Sequence, residues 1–475
     1  MICYEDLVPY CKAGGLADVS GALPKALETK GHEIKIIIPK YSRIDTKRFD
    51  IHQTSLKFQV PNFKFQANIE ETKYPNSQII VYFVKCDHFY DRAEIYADYK
   101  DNAERSIYFS KAVLELLKYI DWKPDIIHCN DWQTALIPLL LKQLYPEYIS
   151  QNIRSILTIH NLAYQGIFPK KKFRKTGLDA QLFTQLGLEF WGKFNFLKAG
   201  ILYADILNTV SMKYASEIQT KEFGFGLESF LLKRKDDLFG IMNGIDYELW
   251  DPRIDSHIWH VYDKNTLDRK HLNKSELQKE SNLPQKNVAL IGIISRLVDQ
   301  KGFDLIEQIL DELMQLELQL IVLGTGAPKY HQLFKEINTN YPLKTAIFLK
   351  FDDILAHKIE AGADFFLMPS KYEPCGLNQL ISLRYGTIPI VRHTGGLADS
   401  ISAITTRPSN TGVGFVFYEY DSQELLQTIR EALTFYQDKN RRLLVMKRGV
   451  EKDFSWNKSA QQYEELYQRV LHKNK

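Results

Sequence analysis

Short apolar runs rich in β-branched residues alternate along the chain with longer segments of helical periodicity. There are ten such runs, at residues 33–38, 78–84, 125–128, 154–159, 205–210, 288–294, 318–323, 345–349, 364–368 and 388–391. Because the apolar positions are continuous, these runs indicate strands buried on both faces, as in parallel sheets covered by helices. Ten strands are more than one doubly wound sheet usually contains. The pattern therefore predicts an α/β protein with two parallel sheets.

The length of the chain and its loop signals predict where these sheets separate. The chain has 475 residues, and at roughly 150 residues per domain this indicates two or three domains. Residues 243–255 contain Asn-Gly and Asp-Pro and have little periodicity, which is typical of a loop. We therefore expect one domain over residues 1–240, a second over 241–455, and a hinge near 240–255.

Composition narrows the class of protein. Apolar residues make up 45% and charged residues 25%, near the globular average, which excludes a disordered or collagen-like chain. The net charge of +3 is too small to indicate a nucleic-acid or membrane partner. The five cysteines lack metal-ligand spacing and indicate a reducing compartment. With no signal-peptide pattern visible, we expect a cytoplasmic protein.

The residues that directly follow the predicted strands are chemically unusual. Ligands of open parallel sheets bind beyond the carboxyl ends of the strands. The charged or imidazole side chains at or near these ends are those of Asp131, His160, Arg296, Lys301 and Glu373. Taken together, they indicate a site at the strand ends.

Each of these residues also has a purely structural interpretation. Asp131 could cap a helix, and His160 could be a hydrogen-bonded structural histidine. Arg296 and Lys301 could be surface charges, and Glu373 could serve only as an ion-pair partner. Cys375, nearby in the sequence, could be a small buried apolar residue. The joint placement of these residues weakens the structural interpretations more than any single residue does.

Two glycine pairs precede predicted helices. Lys12 is followed by Gly14 and Gly15, and a second pair begins at Gly395. Paired glycines let backbone N–H groups approach a phosphate, and a helix N-terminus adds positive potential. Together with Arg296 and Lys301, they suit a diphosphate. A third candidate, residues 324–326, lacks the last glycine of a dinucleotide fingerprint, so we do not expect nicotinamide binding.

Eight segments together resemble a known family. They are KAGGLADVSGALPKAL (12–27), HCNDWQTAL (128–136), LTIHNLAYQGIFP (157–169), NTVSMKYASEI (208–218), MNGIDYELWDP (242–252), SRLVDQKGFDLI (295–306), LMPSKYEPCGLNQLI (367–381) and YGTIPIVRHTGGLADSI (385–401). They resemble bacterial glycogen synthases and plant starch synthases, which are GT-B glucosyltransferases. The resemblance implies two Rossmann-like domains facing each other across a cleft, with the C-terminal helix, 456–475, packing back on the first domain.

The resemblance also implies an activity and its partners. The family transfers glucose from ADP-glucose to the non-reducing end of an α-1,4-glucan, with retention of configuration. The resemblance suggests that the acceptor hydroxyl attacks glucose from the face that ADP leaves, and that an ADP oxygen helps to deprotonate this hydroxyl. No cofactor or metal is implied, nor is a nucleic-acid or membrane partner, and the oligomeric state stays open.

Site roles are implied residue by residue. The catalytic set implied by the resemblance is Asp131 and His160 at the sugar, Arg296 and Lys301 at the diphosphate, and Glu373 at the glucosyl group. The donor-binding set is Lys12, Gly14, Gly15, Cys375, Gly376, Leu377, Thr394 and Gly395, with Tyr96 facing the adenine.

Four features depart from the family pattern or are left open by it. Ala13 stands where threonine is more usual, and we expect a modest effect. Only residues 1–5 are available for the first strand, which indicates either a misassigned start or a weakened strand. Ile381 replaces a second glutamate found in the wider superfamily. The basic segment at 170–175 is expected to be a solvated loop, with a contact to an anion or a glucan as the alternative.

Two other functions compete with this interpretation. An enzyme of the same architecture could use UDP-glucose, as a sucrose or trehalose-phosphate synthase does. The second alternative is a catalytically silent relative that binds glucan. Such a protein would have no reason to keep Lys12, Arg296, Lys301 and Glu373.

Overall fold

The protein, analysed as a computed structural model, is described over residues 1–12, 14–92, 94–95, 97–405 and 411–473. It divides into two compact units. Unit 1 comprises Met1–Val210, Ala215–Met242 and the segment that begins at Trp456, and unit 2 comprises Ser211–Tyr214 and Asn243–Ser455.

Unit 1 is built on a nine-stranded sheet and a small three-stranded sheet. Its strands are β1 (Ile2–Cys3), β2 (Lys35–Pro39), β3 (His52–Gln59), β4 (Gln66–Lys73), β5 (Ile80–Lys85), β6 (Ile126–Asn130), β7 (Arg154–Ile159), β8 (Ile167–Pro169), β9 (Glu189–Phe190), β10 (Lys193–Asn195), β11 (Ile206–Thr209) and β12 (Leu238–Gly240). The large sheet has the order β12-β11-β7-β6-β1-β2-β5-β4-β3, and β8-β10-β9 form the small antiparallel sheet. In the large sheet β4 runs antiparallel to both of its neighbours, β3 and β5, and the other strand pairs of the described residues are parallel.

The first strand is short but central. β1 has two residues and pairs in parallel with β2 on one side and β6 on the other. Ile2 is registered with Ile36 and with His128. Both residues of β1 are buried, so the strand bridges the two halves of the sheet.

Helices cover the large sheet of unit 1, and the C-terminal helix, described below, packs on this sheet as well. The helices of the first part are α1 (Gly15–Glu28), α2 (Asp87–Tyr90), α3 (Asn102–Leu116), α4 (Asp131–Thr134), α5 (Ile137–Leu144), α6 (Pro146–Ser150), α7 (Phe196–Tyr203), α8 (Met212–Glu217) and α9 (Glu228–Lys233).

Unit 2 is a doubly wound parallel sheet. Its strands are β13 (Ala289–Ile294), β14 (Leu318–Leu323), β15 (Thr345–Phe348), β16 (Phe365–Met368), β17 (Ile388–Arg392) and β18 (Phe415–Phe417), in the order β15-β14-β13-β16-β17-β18. Its helices are α10 (Lys270–Glu280), α11 (Phe303–Gln308), α12 (Leu310–Gln315), α13 (Pro328–Asn340), α14 (Asp353–Gly362), α15 (Asn378–Arg384), α16 (Gly395–Ser400), α17 (Ser422–Tyr436) and α18 (Lys439–Val450). Separate apolar clusters, around Leu290 and Ile321 and around Phe366 and Val391, form its core.

The C-terminal helix, α19 (Trp456–His472), packs on unit 1. Its Tyr467 hydroxyl lies 2.9 Å from His128 Nδ1, and the Asn208 amide donates to its Tyr463 hydroxyl at 3.1 Å. His128 and Asn208 belong to β6 and β11, so these buried polar contacts tie the end of the chain to the large sheet.

The two parallel sheets predicted from the apolar runs are confirmed. All ten runs form strands, and the strands missed by the pattern are β1, β3, β4, β12, β18 and the small sheet. Strands β3 and β4 escaped prediction because many of their side chains are polar and β3 is largely exposed. None of the helices in the described parts of the chain is both long enough and apolar enough to span a bilayer.

Candidate active site

In unit 1, Asp131 lies at the carboxyl end of β6 in an uncommon backbone conformation. Its φ is +55°, a region that few non-glycine residues adopt. Its carboxylate accepts a hydrogen bond from the His160 backbone N–H at 2.7 Å. Because His160 follows β7, the carboxylate links two strand ends and does not cap its own helix.

His160 is held by Asn130. The His160 Nε2 atom lies 2.9 Å from Asn130 Oδ1, while Asn130 Nδ2 donates to the Cys3 carbonyl at 3.2 Å. Since the amide oxygen is the atom that faces the ring, Nε2 carries the proton and Nδ1 carries the lone pair. Burial lowers the pKa of His160 to about 3, so the imidazole is neutral and Nδ1 can accept a hydrogen bond.

The protonation of Asp131 is poised near neutral pH. Burial raises the pKa of its carboxyl to about 7, and the backbone N–H groups of His160 and Asn161 oppose this shift. Desolvation dominates because no cation accompanies the carboxylate among the causes of the shift. A small change in surroundings therefore changes its charge.

The first glycine pair is not required by the fold. A Cβ atom added to Gly14 or to Gly15 would meet no atom within 4 Å, and neither residue has a positive φ. The space above the loop is open, as close approach of a ligand to the backbone requires. Lys12 lies beside this loop and its Nζ pairs with Asp18 at 2.8 Å, with 41% of the side chain exposed. The expected contacts of Tyr96, and the effect of Ala13, lie outside the described residues.

In unit 2, the expected diphosphate lysine and the expected sugar glutamate form an ion pair. Lys301 Nζ lies 2.6 Å from Glu373 Oε2, and the Ser370 hydroxyl donates to the same oxygen at 2.9 Å. The side chains are 17% and 7% exposed. Lys301 is therefore not a free surface charge, and the ion-pair interpretation of Glu373 describes this state of the protein. Arg296 is exposed in the turn after β13.

The second glycine pair packs directly against the segment that carries Glu373. A Cβ on Gly395 would lie 1.9 Å from the Glu373 carbonyl oxygen, and one on Gly396 would lie 1.9 Å from that of Cys375. The Gly396 N–H donates to the Glu373 carbonyl at 3.0 Å. Here glycine is required by packing, and it brings Thr394 and the start of α16 next to Glu373.

The rest of this segment turns away from Glu373 into the start of α15. Gly376 has a φ of +70°, and Leu377 precedes the first residue of α15. Cys375 is buried, and burial raises the pKa of its thiol to about 12. A protonated thiol is a poor nucleophile, so the interpretation of Cys375 as a small buried residue fits its surroundings.

Unit 1 thus brings Asp131 and His160 together, and unit 2 brings Lys301, Glu373, Cys375, Gly395 and their neighbours together. Sequence reasoning missed Asn130 and Ser370, which hold His160 and Glu373. Their position at strand ends was the only signal that could have found them. Within the described residues, no group of three or more His, Cys, Asp or Glu side chains is placed to hold a metal ion.

Comparison with known proteins identifies the family. Residues 1–233 match the starch synthase catalytic domain, and residues 274–444 match the glycosyl transferases of group 1. The glycogen synthase of Thermotoga petrophila is 46% identical, over 99% of this chain and 98% of that protein. The chain belongs to the glycogen synthase and starch synthase family. The glycogen synthase of Moorella thermoacetica is also 46% identical, over 100% of this chain and 97% of that protein.

Solved structures agree with this family and with the fold. The catalytic domain of starch synthase IV from Arabidopsis thaliana, bound to ADP and acarbose, matches with a TM-score of 0.91 and 35% identity over 99% of both chains. The sucrose-phosphate synthase of Thermosynechococcus elongatus matches with a TM-score of 0.62 at 16% identity, which bears on the fold alone. The expected GT-B fold is confirmed, and the chain is a glucosyltransferase of the glycogen synthase type.

Proposed function

We propose that this member of the glycogen synthase family transfers glucose from ADP-glucose to the non-reducing end of an α-1,4-glucan, with retention of configuration. The observation that carries the proposal is the Lys301–Glu373 pair beside Thr394 and Gly395 at the carboxyl end of the unit 2 sheet. A cation, a sugar-binding carboxylate and a glycine-led helix start are the groups that a nucleotide sugar requires. The Arabidopsis relative was solved with ADP and acarbose, which supports the same donor.

Charge development at the leaving group explains the roles of the cations. Breaking the bond between glucose and ADP adds negative charge to the diphosphate. Arg296 offers a planar fork and Lys301 a point charge to neutralise it. Cations placed where charge develops supply the largest catalytic gains. We propose that they do so here without a metal ion, so that chelation by EDTA leaves the rate unchanged.

The breaking bond also leaves positive charge on the anomeric carbon. Glu373 is assigned to the glucosyl group, where its carboxylate holds sugar hydroxyls and supports this charge. We propose that Lys301 remains bound to Glu373 while it contacts the diphosphate, so that one ion pair serves both ends of the breaking bond. The Ser370 hydroxyl keeps the carboxylate oriented.

Unit 1 is assigned to the sugar and the phosphate. His160 Nδ1 accepts a hydrogen bond from a sugar hydroxyl, and Asp131 positions His160 through its backbone N–H. Lys12, Gly14 and Gly15 are assigned to the donor phosphates. The acceptor hydroxyl attacks from the face that ADP leaves and passes its proton to a phosphate oxygen. No enzyme carboxylate forms a bond to glucose in this scheme.

The proposal places the reaction in the cytoplasm. All five cysteines are buried free thiols, which suits the reducing compartment expected from the sequence.

The test is incorporation of glucose into glycogen from ADP-glucose and from UDP-glucose. We expect a strong preference for ADP-glucose and an α-configured product, since the scheme retains configuration. Arg296→Ala should lower kcat about 10²–10³-fold, while Lys264→Ala, which breaks an exposed ion pair with Glu451, should not. A UDP-glucose preference would refute the donor assignment, and a covalent glucosyl adduct on Asp131 or Glu373 would refute the same-face mechanism.

A further inference from the structure

The small sheet of unit 1 exposes a tryptophan where the backbone disfavours one. Phe190 pairs with Lys193, so Trp191 and Gly192 form the two-residue turn between β9 and β10. Their φ angles are +49° and +77°, as in a type I′ turn, which favours Asn and Gly. Trp191 is 81% exposed, so burial of its ring does little to offset the cost of this conformation. Strain that packing does not explain points to a functional role.

A second aromatic residue with a positive φ lies beside this turn. Phe225 has a φ of +48° and is 38% exposed, and Gly226 follows it with a φ of +84°. A Cβ on Gly226 would lie 2.9 Å from Phe190 Cζ and 3.2 Å from Trp191 Cη2. Gly226 therefore allows the loop of Phe225 to lie against the turn, and two separate loops bring strained aromatic residues together.

The loop of Phe225 is bonded to the loop that carries His160. The buried Gln165 side chain donates to the Phe225 carbonyl at 3.1 Å and accepts from Asn195 Nδ2 at 2.6 Å. The residue before it, Tyr164, is 52% exposed. We call Trp191 and Phe225 the aromatic platform. Gln165 holds the loop of Phe225 through its hydrogen bond to the Phe225 carbonyl, and Gln165 itself lies in the loop that begins at His160.

 The loop from His160 to Gln165 thus joins the platform to the residues assigned to the sugar.

The turn that carries Trp191 is held firmly. The Lys198 ammonium donates to the carbonyl oxygens of Gln185 and Glu189, both at 2.7 Å. It also lies 4.1 Å from the centre of the Phe230 ring. Because the start of β9 is fixed in this way, the platform loses little conformational freedom when a ligand binds.

We propose that the aromatic platform binds the α-glucan acceptor at glucose units beyond the one that reacts, an inference that rests on the proposed function. The faces of aromatic rings carry negative charge density, which suits the weakly positive C–H groups on the face of a glucose ring. Exposed aromatic patches mark binding surfaces, and Trp and Tyr often supply most of the binding energy. The glucan is favoured over other occupants because the platform is bonded to the loop of His160.

The test uses Trp191→Asn, because asparagine tolerates a positive φ and removes the ring. We expect the KM for glycogen to rise about 5–10-fold, from the loss of roughly one aromatic contact. The kcat with maltotriose and the KM for ADP-glucose should not change, and the melting temperature should stay equal or rise. Phe351→Ala is the matched control, because Phe351 is 72% exposed in unit 2, and it should alter none of these values.

Co-sedimentation with glycogen gives a second readout that does not depend on turnover. An unchanged glycogen KM and unchanged co-sedimentation in Trp191→Asn would overturn the proposal. The proposal would also be overturned if the wild type self-associates in sedimentation velocity, the variant does not, and both have equal affinity for glycogen. The platform would then be a contact between copies of the chain. If the wild type transfers glucose to no acceptor, the proposed function fails, and co-sedimentation still decides the platform.

Discussion

At the scale of single residues, the site is defined by how burial sets protonation. His160 is neutral because burial lowers its pKa to about 3. Asp131 keeps its proton up to near neutral pH because burial raises its pKa to about 7. Both shifts come from the same desolvated strand ends. A neutral imidazole beside a carboxyl that titrates near pH 7 can bind sugar hydroxyls as acceptor and donor.

Asp131 should make the protein less stable as the pH rises. An unfolded Asp carboxyl has a pKa of about 3.9, whereas the folded pKa is about 7, so the folded state binds the proton more tightly. The contribution of this carboxyl to the free energy of unfolding is therefore largest below about pH 4 and decreases as the pH rises to about 7. In urea unfolding at pH 4, 6 and 8, the stability of wild type relative to Asp131→Asn should decrease with pH.

The control for this titration is Asp236→Asn, since Asp236 is exposed. Its stability relative to wild type should not follow the same trend. Equal pH slopes for wild type and Asp131→Asn would show that the carboxyl is not desolvated as described.

At the scale of elements, the beginning of α1 separates fold from function. Because a Cβ at Gly15 meets nothing and its φ is not positive, Gly15→Ala should keep or raise stability, by up to about 1 kcal/mol. If the loop approaches a phosphate, the same change should raise the KM for ADP-glucose. Thermal unfolding and initial rates measure the two effects.

The second glycine pair supplies the contrast. Gly396→Ala should destabilise the protein, because its Cβ would lie 1.9 Å from the Cys375 carbonyl oxygen. A Gly15→Ala variant that is destabilised, or that binds ADP-glucose normally, would contradict the role assigned to this loop.

The C-terminal helix makes a second prediction at this scale. Tyr467→Phe removes the hydroxyl beside His128 Nδ1, a buried ring nitrogen. Leaving that atom without its partner should cost about 1–3 kcal/mol of unfolding free energy. Tyr119→Phe, at a half-exposed position, should change it by less than about 0.5 kcal/mol. Equal effects in denaturant unfolding would show that the contact of α19 with β6 contributes nothing.

The elements that the sequence predicted are those whose burial is uniform. The parallel strands read as continuous apolar runs, so their ends, and with them Asp131, His160 and Glu373, could be predicted. The turn at Trp191 could not, because it lacks the Asn-Gly signal of a type I′ turn. The orienting role of Asn130 could not either, since its contact with His160 depends on where a second strand end lies. Ser370 contacts Glu373 within one loop, and its position after a strand did not reveal that contact.

At the scale of the whole molecule, each unit presents its own group of polar residues after its parallel strands. Unit 1 offers Lys12, Asp131 and His160, and unit 2 offers Arg296 and the Lys301–Glu373 pair. We propose that both groups serve one reaction on one donor. Residues that act on a common partner do not contribute independently, so we expect energetic coupling between Lys12 and Arg296.

The most direct measurement is a double-mutant cycle on glucose incorporation from ADP-glucose into glycogen. The rates needed are those of wild type, Lys12→Ala, Arg296→Ala and the double variant. We expect each single change to lower kcat/KM for ADP-glucose, and the double variant to lose less than the product of the two losses. The proposal would be contradicted by losses that multiply fully, by single variants with wild-type rates, or by a wild type that incorporates no glucose.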